Sequence, residues 1–93
     1  MTHRVKIWPK FYDEVAGGMK PFELRKDDRN YAVGDELRLE EYDPEMKIYT
    51  GRTVTAKVIY KLERMPGLED GYCVLALGST RIQWCPALCG LEA

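Results

Sequence analysis

The sequence predicts an α+β fold that is mostly β: a small curled sheet or partly closed barrel of about five to six short strands, plugged by one short N-terminal helix. Three observations lead there. Segments that alternate apolar and polar residues recur at short intervals between His3 and Leu77. Only one stretch, directly after the first of them, has helical spacing. A chain of 93 residues supports one hydrophobic core and no second independent one.

His3 to Ile7 puts Val5 and Ile7 on one face and Arg4 and Lys6 on the other, as a half-buried strand does. WPKFYDEVAGG reads as the helix. Pro9 suits its first position, Phe11 and Val15 share a face at i and i+4, and Gly17 or Gly18 takes the left-handed conformation that ends it. Trp8 is a poor N-cap, so the helix start depends on tertiary packing. Gly18 to Pro21 is a turn by composition. A second strand comes next, in which Phe22 and Leu24 point into the core and Glu23 and Arg25 to the opposite side.

KDDRNYAVGD is a loop, and ELRLEEY a third strand with Leu37 and Leu39 facing in. Asp43 to Gly51 is a polar connection. TVTAKVIYKL places Val54, Ala56, Val58, Tyr60 and Leu62 on one face, with Thr53, Thr55, Lys57 and Lys61 on most of the other. After the loop ERMPGLEDG, YCVLAL is apolar on both sides, which fits a central strand. Residues 79–93, STRIQWCPALCGLEA, lack strand alternation. The domain is therefore expected over 1–78, with 79–93 a tail that is ordered or forms a short helix.

Composition narrows the function. The chain is 45% hydrophobic and 31% charged, an ordinary globular balance. It starts without an apolar stretch of signal-peptide length, and its longest apolar run, Tyr72 to Leu77, is too short for a bilayer, so the expectation is a cytoplasmic protein with no membrane association. A net charge of −1 argues against tight non-specific binding to duplex DNA. The charge is uneven, +2 over residues 1–29 and −3 over the rest, compatible with a small basic pocket.

Three cysteines are an odd set, which points to reduced thiols. Cys73, Cys85, Cys89 and His3 would make a Cys3His group, but Cys73 lies in a strand that reads as buried and paired short-spaced ligands are lacking. No metal and no cofactor is expected. There is no P-loop, GxGxxG or Ser/His/Asp arrangement, and the only histidine sits beside a terminus.

The stretch GGMKPFELRKDDR, residues 17–29, concentrates the chemistry. Composition alone reads it as a solvated charged face, with ion pairs contributing about 0–1 kcal/mol each. Geometry offers a sharper reading. A Gly-Gly turn lets backbone approach a ligand and sets Lys20 beside Glu23 and Arg25: a point charge for phosphate, an acceptor for an exocyclic amine, and a planar fork for phosphate or a base edge.

GMKPFELR matches the G-x-K-x-x-E-x-R signature of the ASCH domain, a branch of the PUA-like superfamily, through Gly18, Lys20, Glu23 and Arg25. The ordered run of first strand, WP helix, FELRKDDRNYAVGDELRLEEYD, YTGR, VIYKL and GYCVLAL resembles one small family of bacterial and phage proteins of unknown function within that branch, over residues 2 to about 78. The resemblance implies a small PUA-like (ASCH) β-barrel whose signature residues line a cleft beside the helix. It also implies binding of RNA or a modified nucleoside. Relatives commonly carry threonine where Pro21 stands and asparagine where Asp27 stands; Asp27 makes the loop more acidic and would weaken a phosphate site.

In that reading Lys20 and Arg25 meet phosphate or a base edge, Glu23 accepts a base amino hydrogen or orients Arg25, and Lys26 with Arg29 forms a rim. Among the nearby aromatics, Phe11 and Trp8 read as packing residues. Tyr12 and Tyr31 are the better stacking candidates, and Tyr72 opens its strand where it can face the cleft. An enzymatic alternative comes from ASCH members that resemble amidohydrolases acting on N4-acylated cytidine. Lys20 fills their lysine position, but Glu23 stands where a threonine nucleophile would be, and Thr50, Thr53 and Thr80 are not placed by the sequence. A third alternative is a protein-interaction module that docks through Trp84, Pro86 and Leu88 of the tail.

Overall fold

The structure, a computed structural model, describes residues 1–92. Its elements are β1 (Thr2–Ile7), α1 (Pro9–Ala16), β2 (Phe22–Lys26), β3 (Glu36–Asp43), β4 (Ile48–Glu63) and β5 (Tyr72–Trp84). They form a five-stranded sheet in the order β1-β3-β4-β5-β2. β1 runs parallel to β3, and every other pairing is antiparallel. The sheet curls into a half-barrel, so its two edges, β1 and β2, face each other across a seam. Among the described residues, no backbone ladder closes that seam. Arg25 Nη1 donates to the Lys6 carbonyl at 3.3 Å and Arg29 Nη1 to the Arg4 carbonyl at 2.8 Å.

Alternation works as expected where a strand has one buried face. His3, Val5 and Ile7 of β1 and Leu37 and Leu39 of β3 are buried, and Val54, Ala56, Val58, Cys73 and Leu75 join them from the two central strands. The helix adds Tyr12 and Val15, and the Tyr12 hydroxyl donates to the Thr53 carbonyl at 3.0 Å inside the core. Each such aliphatic side chain contributes about 1.5–3 kcal/mol of burial. The helix starts at Pro9 with no side-chain cap from Trp8, as its sequence implied.

Four expectations are overturned. The faces of β2 are inverted: Phe22 and Leu24 are 44% and 58% exposed, whereas Glu23 is 4% exposed. β2 is an edge strand with only β5 as neighbour, and a carboxylate is buried at tolerable cost when both its oxygens are paired. In β4, register shifts between Ala56 and Val58 and between Val58 and Tyr60 break the alternation, leaving Tyr60 exposed. Thr53 and Thr55, assigned to the polar face, are buried.

The last correction concerns the tail. β5 does not stop at Leu77 but continues to Trp84, with Arg52 to Ala56 of β4 as partners. Beyond Trp84 the chain forms turns rather than a helix. They return to the start of β4, where Tyr49 donates to the Leu91 carbonyl and Gly90 to the Tyr49 carbonyl, both at 2.8 Å, and Leu88 is buried. Residue 93, the end of the expected tail, lies outside the described residues. Among those described, no helix is long and apolar enough to cross a membrane.

Candidate functional site

The turn after the helix decides where Lys20 points. Gly18 adopts φ +82°, a conformation that side-chain-bearing residues rarely take, and its N–H donates to Val15 O at 3.1 Å. The Lys20 N–H then returns to Glu14 O at 3.0 Å, and Leu77 N donates to Pro21 O at 2.9 Å, extending the β2–β5 ladder by one step. Pinned from both sides, Lys20 Nζ donates to Glu23 Oε1 at 2.8 Å. Two-residue periodicity sets Arg25 on the same side of β2, and its Nη1 donates to Glu23 Oε2 at 2.9 Å. One buried carboxylate thus clamps two cations.

These heads floor a cleft of about 640 Å3 between β1, the start of α1, and β2. The volume falls within the roughly 300–1,000 Å3 usual for small-molecule sites. Its apolar wall is Trp8, Phe11, Phe22, Leu24 and Tyr72. Trp8 and Phe11 stack with centroids 6.4 Å apart and planes 17° apart, and Trp8 is 56% exposed. Lys20 Nζ lies 5.0 Å from the Phe11 ring centroid and 5.3 Å from that of Phe22. The cations Lys6, Lys20, Arg25 and Lys26 surround the single carboxylate, so the cleft combines flat apolar faces with excess positive charge.

Of the residues singled out from sequence, Lys20, Glu23, Arg25, Lys26 and Tyr72 meet in this cleft. Gly18 shapes the turn without lining it. Arg29 lies further along the seam, beside a second hollow. Tyr12 and Tyr31 are core residues at 2% and 3% exposure, so neither offers a face for stacking in the cleft; the aromatic ring of α1 that does so is Phe11, one position away. Tyr31 packs edge-on against His3, and burial pushes its phenol pKa up, with Arg25 and Arg29 opposing. Asp27 does not reach the cleft. It pairs with Lys61 Nζ at 2.7 Å, so its extra negative charge is neutralised locally.

Sequence reasoning missed Lys6, Phe22 and Leu24 as cleft residues and assigned Trp8 and Phe11 to packing. One signal was available for Trp8: a bulky aromatic at a helix start where its side chain caps no backbone N–H. None of Thr50, Thr53 and Thr80 lines the cleft. Thr50 Oγ1 donates to Glu41 at 2.6 Å and Thr53 Oγ1 to the Gln83 carbonyl at 3.3 Å. Among the described residues, no three His, Cys, Asp or Glu side chains are grouped to hold a metal. Cys73 is buried, and desolvation pushes its thiol pKa up.

Residues 2–77 match the family described as Domain of unknown function (DUF3850). The chain belongs to that family. It is also similar to the "Uncharacterized 12.9 kDa protein in GpA 3'region" of Escherichia phage P2, with 41% identity over 68 residues, 73% of this chain and 61% of that protein. It thus spans about three-fifths of the relative's length. The DUF3850 match takes in every cleft residue, from Lys6 to Tyr72, and stops before the second half of β5.

Proposed function

We propose that the seam cleft binds a nucleobase, unpaired or modified, presented by an RNA strand or as a nucleoside. One observation carries this reading: a buried carboxylate holds the cations Lys20 and Arg25 in a cleft walled by aromatic rings, with Phe11 and Phe22 beside Lys20 and with Trp8 and Phe22 exposed. A base stacked on such rings gains about 1–3 kcal/mol, and its edge then falls near the hydrogen-bond donors that Lys20 and Arg25 keep free. Because both Glu23 oxygens are already engaged, its part is to orient the two cations. The G-x-K-x-x-E-x-R resemblance to the ASCH domain of the PUA-like superfamily supports the same reading. Single-stranded RNA suits the cleft best, because unpaired bases expose both faces and edges.

Trp8 supplies the test. In a Trp84→Phe background it is the only tryptophan, and a base stacking on it quenches its fluorescence. Saturable quenching by single-stranded RNA or by modified nucleosides, N4-acetylcytidine included, is expected, with binding weakened about tenfold or more by Phe22→Ala. Absence of quenching across the panel overturns the proposal. Chromatography of the N4-acetylcytidine mixture reads deacetylation against a Lys20→Ala control.

A further inference from the structure

We infer that the ligand carries a phosphate and that this phosphate sits in a second hollow of the β1–β2 seam, which makes the ligand a nucleotide or an RNA strand rather than a free nucleoside. The inference rests on the nucleobase reading of the cleft. The second hollow, about 270 Å3, adjoins the cleft directly, because Lys6, Arg25 and Lys26 line both. Arg4 and Arg29 add two further cations, against the carboxylates of Asp28 and Glu40.

These charges are not equally committed. Glu40 is held between Arg4 Nε at 2.9 Å and Arg38 Nε at 3.1 Å, and Arg25 is held by Glu23. Lys6, Lys26 and Arg29 make no ion pair among the described residues. Lys6 rests 4.2 Å from the centroid of the Tyr42 ring, and Arg29 spends one nitrogen on the Arg4 carbonyl. Asp28 is the one carboxylate of the hollow that is likewise unpaired among the described residues, so these three cations outnumber it and repel one another, and an anion in their midst lowers that cost. Lysine meets phosphate as a point charge and arginine as a fork, so the trio is chemically matched to a phosphate group. Lys6 and Lys26 stand on the divide between the two hollows. A base on the aromatic wall therefore directs its sugar and phosphate across that divide.

The test is an NMR titration of the full chain, following the Trp8 indole and Arg29 side-chain signals. Probes are the four common ribonucleosides, their 3′- and 5′-monophosphates, and inorganic phosphate. Monophosphates are expected to bind about tenfold or more tighter than nucleosides at about 50 mM salt, to shift Arg29, and to lose most of that advantage at about 300 mM. Lys26→Gln combined with Arg29→Gln should bring the nucleotide-to-nucleoside affinity ratio to about one, and the amide spectrum of the variant reports whether it is folded. Equal affinity for nucleosides and monophosphates overturns this inference and leaves the nucleobase reading standing. Phosphate shifts at Arg29 with no base-dependent movement of Trp8 overturn the nucleobase reading and retain the phosphate hollow. Silence toward all probes overturns both.

Discussion

Arg52 and Glu41 are joined by two hydrogen bonds, Nε to Oε1 at 2.8 Å and Nη2 to Oε2 at 2.7 Å, and the same guanidinium reaches Asp13 of α1 at 3.2 Å. The guanidinium carbon also lies 4.3 Å from the Tyr12 ring centroid. This pair therefore ties the helix that carries Phe11 to the sheet. Glu41 is 2% exposed, and Arg52→Ala leaves its carboxylate with Thr50 as the remaining hydrogen-bond donor. A loss of about 1–3 kcal/mol in urea unfolding is expected, the lower part of that range applying because Arg52 is itself 44% exposed. An unchanged unfolding midpoint would show that the pair is ornamental.

Acid should weaken the fold. Burial pushes the Glu41 carboxyl up, but hydrogen bonds from Arg52 and Thr50 outweigh it and hold the pKa below the ordinary value. The Lys61 hydrogen bond holds Asp27 low, and that of His3 holds Asp35 low. A carboxylate with a depressed folded pKa contributes its stability above the unfolded value and loses it as pH falls through the folded one. The thermal midpoint should be flat from neutrality to about pH 5 and drop below about pH 4. Asp27→Asn should make the drop shallower; a midpoint that is constant into strong acid contradicts the assignment.

Gly51 is a packing requirement. At φ +99°, a Cβ there would come within 2.7 Å of the Trp84 ring, while its carbonyl accepts from Cys85 N at 2.7 Å. Gly51→Ala is expected to cost about 2–4 kcal/mol from backbone strain plus overpacking. Adding Trp84→Ala should recover the overpacking part alone, and a double-mutant cycle with no coupling would disprove the clash.

Removing residues 79–93 should abolish folding. The cut strips Thr80 to Trp84 from their β4 partners and deletes the buried Leu88. Circular dichroism of the truncated chain is expected to lack the sheet signal, whereas removing only 91–93 should lower the thermal midpoint and keep it. A folded, soluble 1–78 fragment would restore the idea of a detachable tail.

Much of this molecule could be read from residue order. Val5 and Ile7, Leu37 and Leu39, and the Pro9 helix all announce themselves through local periodicity, because one side of each element is buried. β2 shows the limit of that reasoning. Phe22-Glu23-Leu24-Arg25 alternates cleanly, but alternation states only that two faces differ. Which face turns inward depended on Lys20 arriving from the turn and on β2 lying at an edge, both tertiary facts. The same holds for the hollow beside Arg29, where Arg4 and Lys6 of β1 meet Lys26 of β2 from a strand that is distant in sequence. Tyr12, expected to stack on a ligand, is core, while Phe11 packs against that core as its spacing with Val15 implied and also lines the cleft, because a short helix set over the seam shows the flank of one ring to each side.

The arginines that span the seam carry a colloidal consequence. The carbonyls of Arg4 and Lys6 lie on the unpaired border of β1, where a stray extended segment from another molecule would dock and start a fibril. With Arg25 and Arg29 already occupying those acceptors, and with like charge gathered along the border, templated strand addition is obstructed without a sixth strand. Concentrated solutions should stay dispersed, while loss of both guanidiniums should expose a sticky border.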